Sequence, residues 1–335
     1  MTDLHIEATR GELVESVHRV SVAVADIHGR LVAESGDPDL VTYWRSAAKP
    51  FQALPLVADG AADRFGLTPK ELALCCASHS SEPEHLAITD AILAKLGLTE
   101  QALACGPHTP LSAAVAEEAL RKGSRITPRW SNCSGKHAGM LALALHHGWP
   151  VEGYNVLEHP VQQRIIEELL RWTGIARDDM YCSVDGCNTV CFGLSLRGMA
   201  VAYARFGGEE DGAAGRLREA MTRYPGMVGG TGRPCTDLMA AFGGGLIAKI
   251  GAEGVYSAAL PHLGLGISLK AEDGDMRSAP IALVSVLHQV LSQRKDDRGL
   301  AALQGSPHHA TVPIRNTRGI VTGALSASGS LRFLR

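Results

Sequence analysis

The stretch Val17-His-Arg-Val20-Ser-Val22-Ala-Val24-Ala-Asp26-Ile-His-Gly29-Arg-Leu31-Val-Ala33 decides the reading of the fold. Valines at alternate positions describe a strand, Asp26 to Gly29 supplies a glycine-containing turn, and Leu31 to Ala33 starts a return strand, so the segment reads as an antiparallel hairpin. A second hairpin is expected from Leu246 to Leu260, turning at Gly251 to Gly254. Between them the period changes. Phe51, Leu54 and Val57 fall at helical spacing before Gly60, and Thr68-Pro-Lys-Glu71 and Ser81-Glu-Pro-Glu84 each read as a capping box with proline at the first helical position. Met140, Leu141, Leu143 and Leu145 predict a helix over 136–147 that is more apolar than a single stripe requires, hence central. Further helices are expected over 158–172 and 279–291, and a strand near Met199 to Ala204. Strands come as hairpins and helices as clusters. That pattern predicts an α+β architecture, an antiparallel sheet covered by helices, rather than alternating βαβ units. Residues 1–335 read as a single large domain, at a length that leaves room for two subdomains.

With 45% hydrophobic residues, 20% charged residues and 37 glycines in 335 positions, the chain can bury a sizeable core. Its formal charge is -3 and no basic cluster is interleaved with aromatics, so a small-molecule partner is expected and a nucleic-acid partner is not. No uninterrupted apolar run reaches membrane-spanning length, and Met1 to Arg10 lacks a basic segment followed by an apolar core; a cytoplasmic location without a membrane partner is expected. Eight cysteines scattered through a chain of this size read as reduced thiols, buried or ligating, rather than as a disulfide framework.

Several constellations carry chemistry. In Ser46-Ala-Ala-Lys49 a lysine lies one helical turn from a serine, and an amine desolvated by the apolar helix that follows can take the hydroxyl proton. Pro50 sits late for a first-turn proline and disfavours helix at Lys49, so this turn is expected to be tightened or kinked. Ser78-His79-Ser-Ser-Glu82-Pro-Glu-His85 offers a second hydroxyl, two histidines and carboxylates suited to a substrate ammonium group. Cys133 and Lys136, with Cys187 in Asp185-Gly-Cys187, offer two thiolates and an amine to a borderline-soft ion such as zinc; a rival set substitutes His137 for the lysine and adds Cys182 or Cys191. Asn132, Ser134 and Gly135 stand at a helix start, where free backbone donors suit a carboxylate or an oxyanion. Gly229-Gly-Thr-Gly232 and Gly243-Gly-Gly245 lack the spacing of a phosphate loop and read as tight turns. His308-His309 reads as an exposed loop. Spacing alone leaves Ser46 with Lys49 level with an ordinary cap and the Ser78 segment open to reading as a hydrated loop, and without a paired CxxC it favours plain buried thiols over a metal set.

Taken together, Thr9-Arg-Gly11 with Val14-Glu-Ser16, Arg45-Ser-Ala-Ala-Lys-Pro50, Ser78-His-Ser with Glu82-Pro-Glu-His85, Asn132-Cys-Ser-Gly-Lys-His-Ala-Gly139, Val184-Asp-Gly-Cys187 and Thr236-Asp-Leu-Met239 resemble the class 3 L-asparaginases, the rhizobial type, over most of the chain. The resemblance implies hydrolysis of the L-asparagine side-chain amide to aspartate and ammonia, a fold similar to serine β-lactamases and glutaminases, and a homodimer. It also implies two Ser-Lys tandems: Ser46 with Lys49, and Ser78 with a lysine from the C-terminal half, Lys270 being the first choice and Lys249 the second. Zinc is implied on Cys133, Lys136 and Cys187. Arg45, His79, Glu82, Asn132 and Asp185 are the candidate substrate-binding residues. The sequence departs from the family pattern at Ser81, Ser131 and Asn188, where glycine, asparagine and a small residue are usual, and this touches substrate and metal affinity. Two rivals are a penicillin-recognising or glutaminase-like serine hydrolase, against which the missing SDN and KTG segments count, and a non-catalytic binding protein stabilised by zinc.

Overall fold

A computed structural model describes residues 2–334. The chain opens with strands β1 (His5–Arg10), β2 (Leu13–Asp26), β3 (Leu31–Ser35) and β4 (Val41–Tyr43), then helices α1 (Lys49–Gln52), α2 (Leu54–Ala58), α3 (Ala61–Arg64), α4 (Pro69–Cys75), α5 (Pro83–Lys95), α6 (Ala113–Arg121), α7 (Ser134–His147) and α8 (Pro160–Thr173). It continues through β5 (Tyr181–Val184), β6 (Val190–Ser195), α9 (Leu196–Gly208), α10 (Gly212–Arg223), α11 (Pro225–Val228), α12 (Pro234–Phe242), β7 (Ile247–Ile250), β8 (Val255–Leu260), β9 (Leu265–Ala271), α13 (Ser278–Arg294), α14 (Asp297–Gln304), β10 (Thr311–Arg315), β11 (Val321–Ser328) and β12 (Arg332–Phe333). Two compact units result: the chain up to Ala47 with Leu194–Gly208 and Asp237 onward, and Ala48–Gly193 with Glu209–Thr236.

The first unit is an antiparallel sheet in the order β10-β11-β1-β2-β9-β8-β7, with β3 on β2 and β12 on β3. Both expected hairpins are present, β2 to β3 and β7 to β8. Every residue of β8 and β9 is buried, so both sheet faces are covered, by α9 and by α13. Gly266 explains how α9 comes so close: a Cβ there would lie 2.0 Å from the Ala200 carbonyl oxygen and 2.3 Å from the Ala204 nitrogen. The strand expected near Met199 to Ala204 is in fact the middle of α9. A short apolar run with buried neighbours on all sides does not tell strand from helix, and here the alanines at 200, 202 and 204 favour the helix.

The second unit is helical, with the β5–β6 hairpin. Its centre is α7, buried at every position from Ser134 to Ala144. Gly135 lets that helix ride on α4, since a Cβ would meet the Leu74 carbonyl oxygen at 2.4 Å. The Thr68 capping box forms as expected. The second box is shifted by one residue: Glu82 is the N-cap, paired reciprocally with His85, while Ser81 adopts a left-handed φ of 57° and donates its hydroxyl to the Trp130 carbonyl at 2.7 Å. Around Pro50 the chain tightens as anticipated, with a 3-10 turn over Arg45–Ala48 before α1.

Gly266→Ala should lower folding stability by about 3 kcal/mol or prevent folding, because its contacts are backbone and cannot step aside. Gly11→Ala, with nothing within 4 Å but a φ of 57°, should cost only about 1 kcal/mol. Urea denaturation of both variants measures the difference.

Candidate active site

The boundary between the units falls between Ala47 and Ala48, inside the Ser46–Lys49 segment. On its N-terminal side the segment is pinned. Trp44 Nε1 donates to Ser257 Oγ at 3.0 Å, and Tyr203 Oη donates to the Ala47 carbonyl at 2.8 Å. Between these anchors Arg45 holds a φ of 53°, a left-handed conformation that is strained for a residue with a long side chain, and Ser46 follows half-buried in the 3-10 turn.

Lys49 is 1% exposed, and its amine donates to Ser78 Oγ at 2.9 Å and to the Ala77 carbonyl at 2.5 Å. The lysine expected to serve Ser46 is therefore hydrogen-bonded to the other candidate serine. If the amine gives up a proton, the Ser78 bond can reverse, with the hydroxyl donating to nitrogen.

The Ser78 loop is clamped by a segment that the sequence showed only as a tight turn. Ser78 N donates to the Val228 carbonyl at 2.9 Å, Ser80 Oγ to the Gly229 carbonyl at 2.8 Å, and Thr231 N to Glu82 Oε1 at 2.7 Å. Gly230 permits the approach: at φ 108° a Cβ would lie 2.6 Å from Ser80 Oγ. Glycine density was the only sequence signal for this clamp.

His79 was expected to bind substrate, but it is fully buried and both ring nitrogens are engaged internally. Nδ1 accepts the Ser81 N–H at 3.1 Å, so Nε2 carries the hydrogen and donates to Ser134 Oγ at 2.9 Å. Ser134 passes its own hydrogen to Thr89 Oγ1 at 3.1 Å, because Thr89 gives its hydrogen to the His85 carbonyl at 3.0 Å. His79 braces the Ser78 loop against the start of α7. Burial, with the charges of His85 and Lys49 behind it, holds His79 well below the ordinary histidine value.

Cys133 is the N-cap of α7, where the free end of the helix favours a thiolate. A hydrogen bond from Cys187 lowers its pKa, and the charges of Lys49 and Lys136 act the same way against burial. The Cys187 thiol is pushed up correspondingly, since the two sulfurs share one proton. Lys136 Nζ lies 3.0 Å from Cys187 Sγ; burial disfavours its charge, but the Cys187 and Cys133 sulfurs and Asp185 outweigh that and hold it above the ordinary lysine value. A third thiol, Cys105, is pushed up to about 11 by burial. Among the described residues no three His, Cys, Asp or Glu side chains gather as a metal site. The expected set is two cysteines and a lysine, and those three do gather in one buried cluster. Soft sulfur donors fit zinc, which would have to displace the cluster's protons, including the one on Lys136.

Asn132 Oδ1 lies 2.9 Å from Cys133 Sγ, a bond made only while that sulfur keeps its proton and given up when the proton sits on Cys187, and the Asn132 N–H donates to His108 Nε2 at 2.8 Å. Asp185 caps its own turn, accepting the Gly186 N–H at 2.8 Å. Of the two candidate second lysines, both in the first unit, Lys249 is fully buried on β7 and donates to the Ile250 carbonyl at 2.8 Å. Lys270, near the end of β9, donates to the Ala271 carbonyl at 2.5 Å and is drawn below the ordinary lysine value by burial. His308, expected in an exposed loop, is half-buried and paired with Asp237 at 2.9 Å.

The sequence profile of the L-asparaginase II family matches residues 6–327. The chain belongs to the L-asparaginase II family. A search of curated proteins gave no significant match. Solved structures similar to this family member include a β-lactamase from Mycobacterium bovis, 15% identical over 80% of this chain and 94% of that one with a TM-score of 0.43. Others are a penicillin-binding protein homologue from Pyrococcus abyssi, 11% identical over 82% and 73% with a TM-score of 0.43, and a protein called Mglu, 18% identical over 83% and 61% with a TM-score of 0.37. Among the described residues no helix is long and apolar enough to cross a membrane.

His79 and His85 are both held below the ordinary histidine value, in each case first by burial. Below about pH 6.5 the unfolded chain therefore binds protons that the folded chain does not, and stability should fall by about 1.4 kcal/mol per pH unit for each histidine, while remaining complete above that value. Urea midpoints at about pH 7.5 and 5.5 test the slope, which His85→Gln should flatten by one proton.

Proposed function

We propose that the protein hydrolyses the side-chain amide of L-asparagine through a serine acyl-enzyme, with Ser46 as nucleophile and Lys49 as the group that moves its proton. The observation that supports this reading is the buried Lys49 amine, bonded to Ser78 and acting on Cys133, in a chain of the L-asparaginase II family. In the state where Lys49 has given up its proton, the Ser46 hydroxyl passes its own proton to that amine as oxygen adds to the amide carbonyl. Lys49 then returns the proton to the departing nitrogen, and ammonia leaves. Water repeats the sequence on the ester and frees aspartate. Ser78 orients the Lys49 amine and relays its proton, with Lys270 or Lys249 completing the second tandem. Backbone donors near Ser46 or the Asn132–Gly135 turn stabilise the oxyanion. Glu82, Asp185, Arg45 and Asn132 are the groups assigned to the substrate's charged ends. Cys133, Lys136 and Cys187 would hold zinc, which when bound supplies a positive centre for the α-amino or α-carboxylate end of the substrate. A homodimer in the cytoplasm completes the reading.

A second assignment has a specific observation behind it. Because Lys49 donates to Ser78, Ser78 is itself a candidate nucleophile, with Lys49 as its base. Ammonia release from asparagine and glutamine, measured side by side with and without added zinc, tests the activity. Ser46→Ala should lower turnover by about 10³-fold or more with the fold intact, and mass spectrometry of the quenched enzyme should find the acyl group on Ser46. Acylation of Ser78 in the Ser46→Ala enzyme would reverse the two roles. Rapid nitrocefin cleavage without ammonia release would favour a β-lactamase instead, and melting on zinc removal without any activity would favour a binding protein.

A further inference from the structure

The fully buried side chain of His137 stands beside the thiol cluster with one ring nitrogen, Nε2, lacking a formed hydrogen bond. Its other nitrogen, Nδ1, lies 2.6 Å from Tyr154 Oη, and that oxygen also accepts the Ala104 N–H at 2.9 Å. The tyrosine hydroxyl hydrogen then goes to Nδ1, which leaves Nε2 as an N–H donor. The backbone of Cys187 bears on the same ring as an acceptor, yet Nε2 completes no hydrogen bond. Tyr154 is itself fixed, 1% exposed, with its carbonyl accepting from Gln162 Nε2 at 2.8 Å. The Cys187 turn is tied into the same network. Asn188 Nδ2 donates to the Ala104 carbonyl at 3.2 Å, and Asn155 Nδ2 donates to the Asn188 carbonyl at 2.6 Å.

A buried N–H without a completed bond is an unmet demand, and the Cys187 turn beside it carries an acceptor that a small movement could bring to it. We propose that Tyr154 and His137 are positioning residues: Tyr154 fixes the His137 tautomer, and the His137 Nε2–H closes on the Cys187 carbonyl when the Cys187 sulfur takes up a metal ion. The pair favours the ligated arrangement of the turn and so raises metal affinity without touching the metal. Partners of this kind, outside the ligands themselves, typically change metal affinity by about 10- to 100-fold. The inference rests on Cys133, Lys136 and Cys187 being the metal set.

The test is zinc affinity of the folded protein, read by competition with a chromophoric chelator at fixed pH and accompanied by circular dichroism. Tyr154→Phe and His137→Met should each weaken zinc binding by about 10-fold or more while the spectrum stays native, and His137→Gln, whose amide N–H can reach the Nε2 position, should restore part of the loss. Unchanged zinc affinity in folded Tyr154→Phe and His137→Met overturns the proposal, as does equal loss in His137→Gln and His137→Met. Absence of zinc binding by the unaltered protein overturns instead the metal reading on which it stands. Should His137→Met fail to fold, Tyr154→Phe, which removes one oxygen atom, decides alone.

Discussion

Lys49 carries an amine into a place that water hardly reaches, and its surroundings are arranged around that fact. A buried ammonium without partners is costly, so the chain supplies the Ala77 carbonyl and the Ser78 hydroxyl at hydrogen-bond distance and the Cys133 sulfur as a counter-charge. The same charge acts outward. It helps to hold His79 and His137 neutral and favours the thiolate at Cys133. Neutral imidazoles suit their positions, because each then has a defined donor and acceptor and can fix a neighbour's orientation. The serine loop, the start of α7 and the Cys187 turn are linked through these bonds, so any change of charge at Lys49 or Cys133 is felt by all three.

Close approach of backbones is what brings these groups together. Gly135 sets α7 against the carbonyl of Leu74, a few residues before Ser78, and so brings the helix end that carries Cys133 and Lys136 to the serine loop. Gly230 does the same for the clamp over Ser80. Neither position makes a hydrogen bond through a side chain or carries chemistry. Their contribution is the absence of a Cβ, which allows α7 and the clamp to approach closer than packed side chains permit.

The extent to which this was legible in the sequence follows the range of the interactions. Both hairpins, the Thr68 capping box, the tightened turn before Pro50 and the central α7 depend on neighbours within a few residues, and their signals are local. The gathering of Cys133, Lys136 and Cys187 brings a lysine to a thiol 51 residues away, and spacing offered it only as one candidate set until the family resemblance singled it out. Spacing did not reveal that Lys49 bonds Ser78, because a partner 29 residues away competes with the one at i−3 through tertiary packing alone. The strand expected near Met199 failed for a related reason: full burial on all sides erases the period that would separate strand from helix. His79 was assigned to substrate because a polar loop residue next to a serine invites that role, and only coordinates reveal that both of its nitrogens are already used.

The departures from the family pattern gain a physical meaning from the backbone. Ser81 and Asn188 are two of the few non-glycine residues with a left-handed φ, at 57° and 64°. Glycine accepts that conformation freely, and asparagine is among the residues that tolerate it best, so Asn188 keeps the turn that presents Cys187. Serine is less suited, and a left-handed residue costs roughly 1–2 kcal/mol. Its hydroxyl offsets part of that cost by donating to the Trp130 carbonyl, a bond that glycine could not make and that ties the serine loop to the segment leading into α7. The substitution therefore exchanges backbone ease for a side-chain tether. Ser131, also buried, accepts the Cys133 N–H at 3.4 Å, so its shorter side chain still supplies an acceptor at the helix start. In each case the side chain present makes a bond that holds the backbone from which the sulfur and hydroxyl groups project.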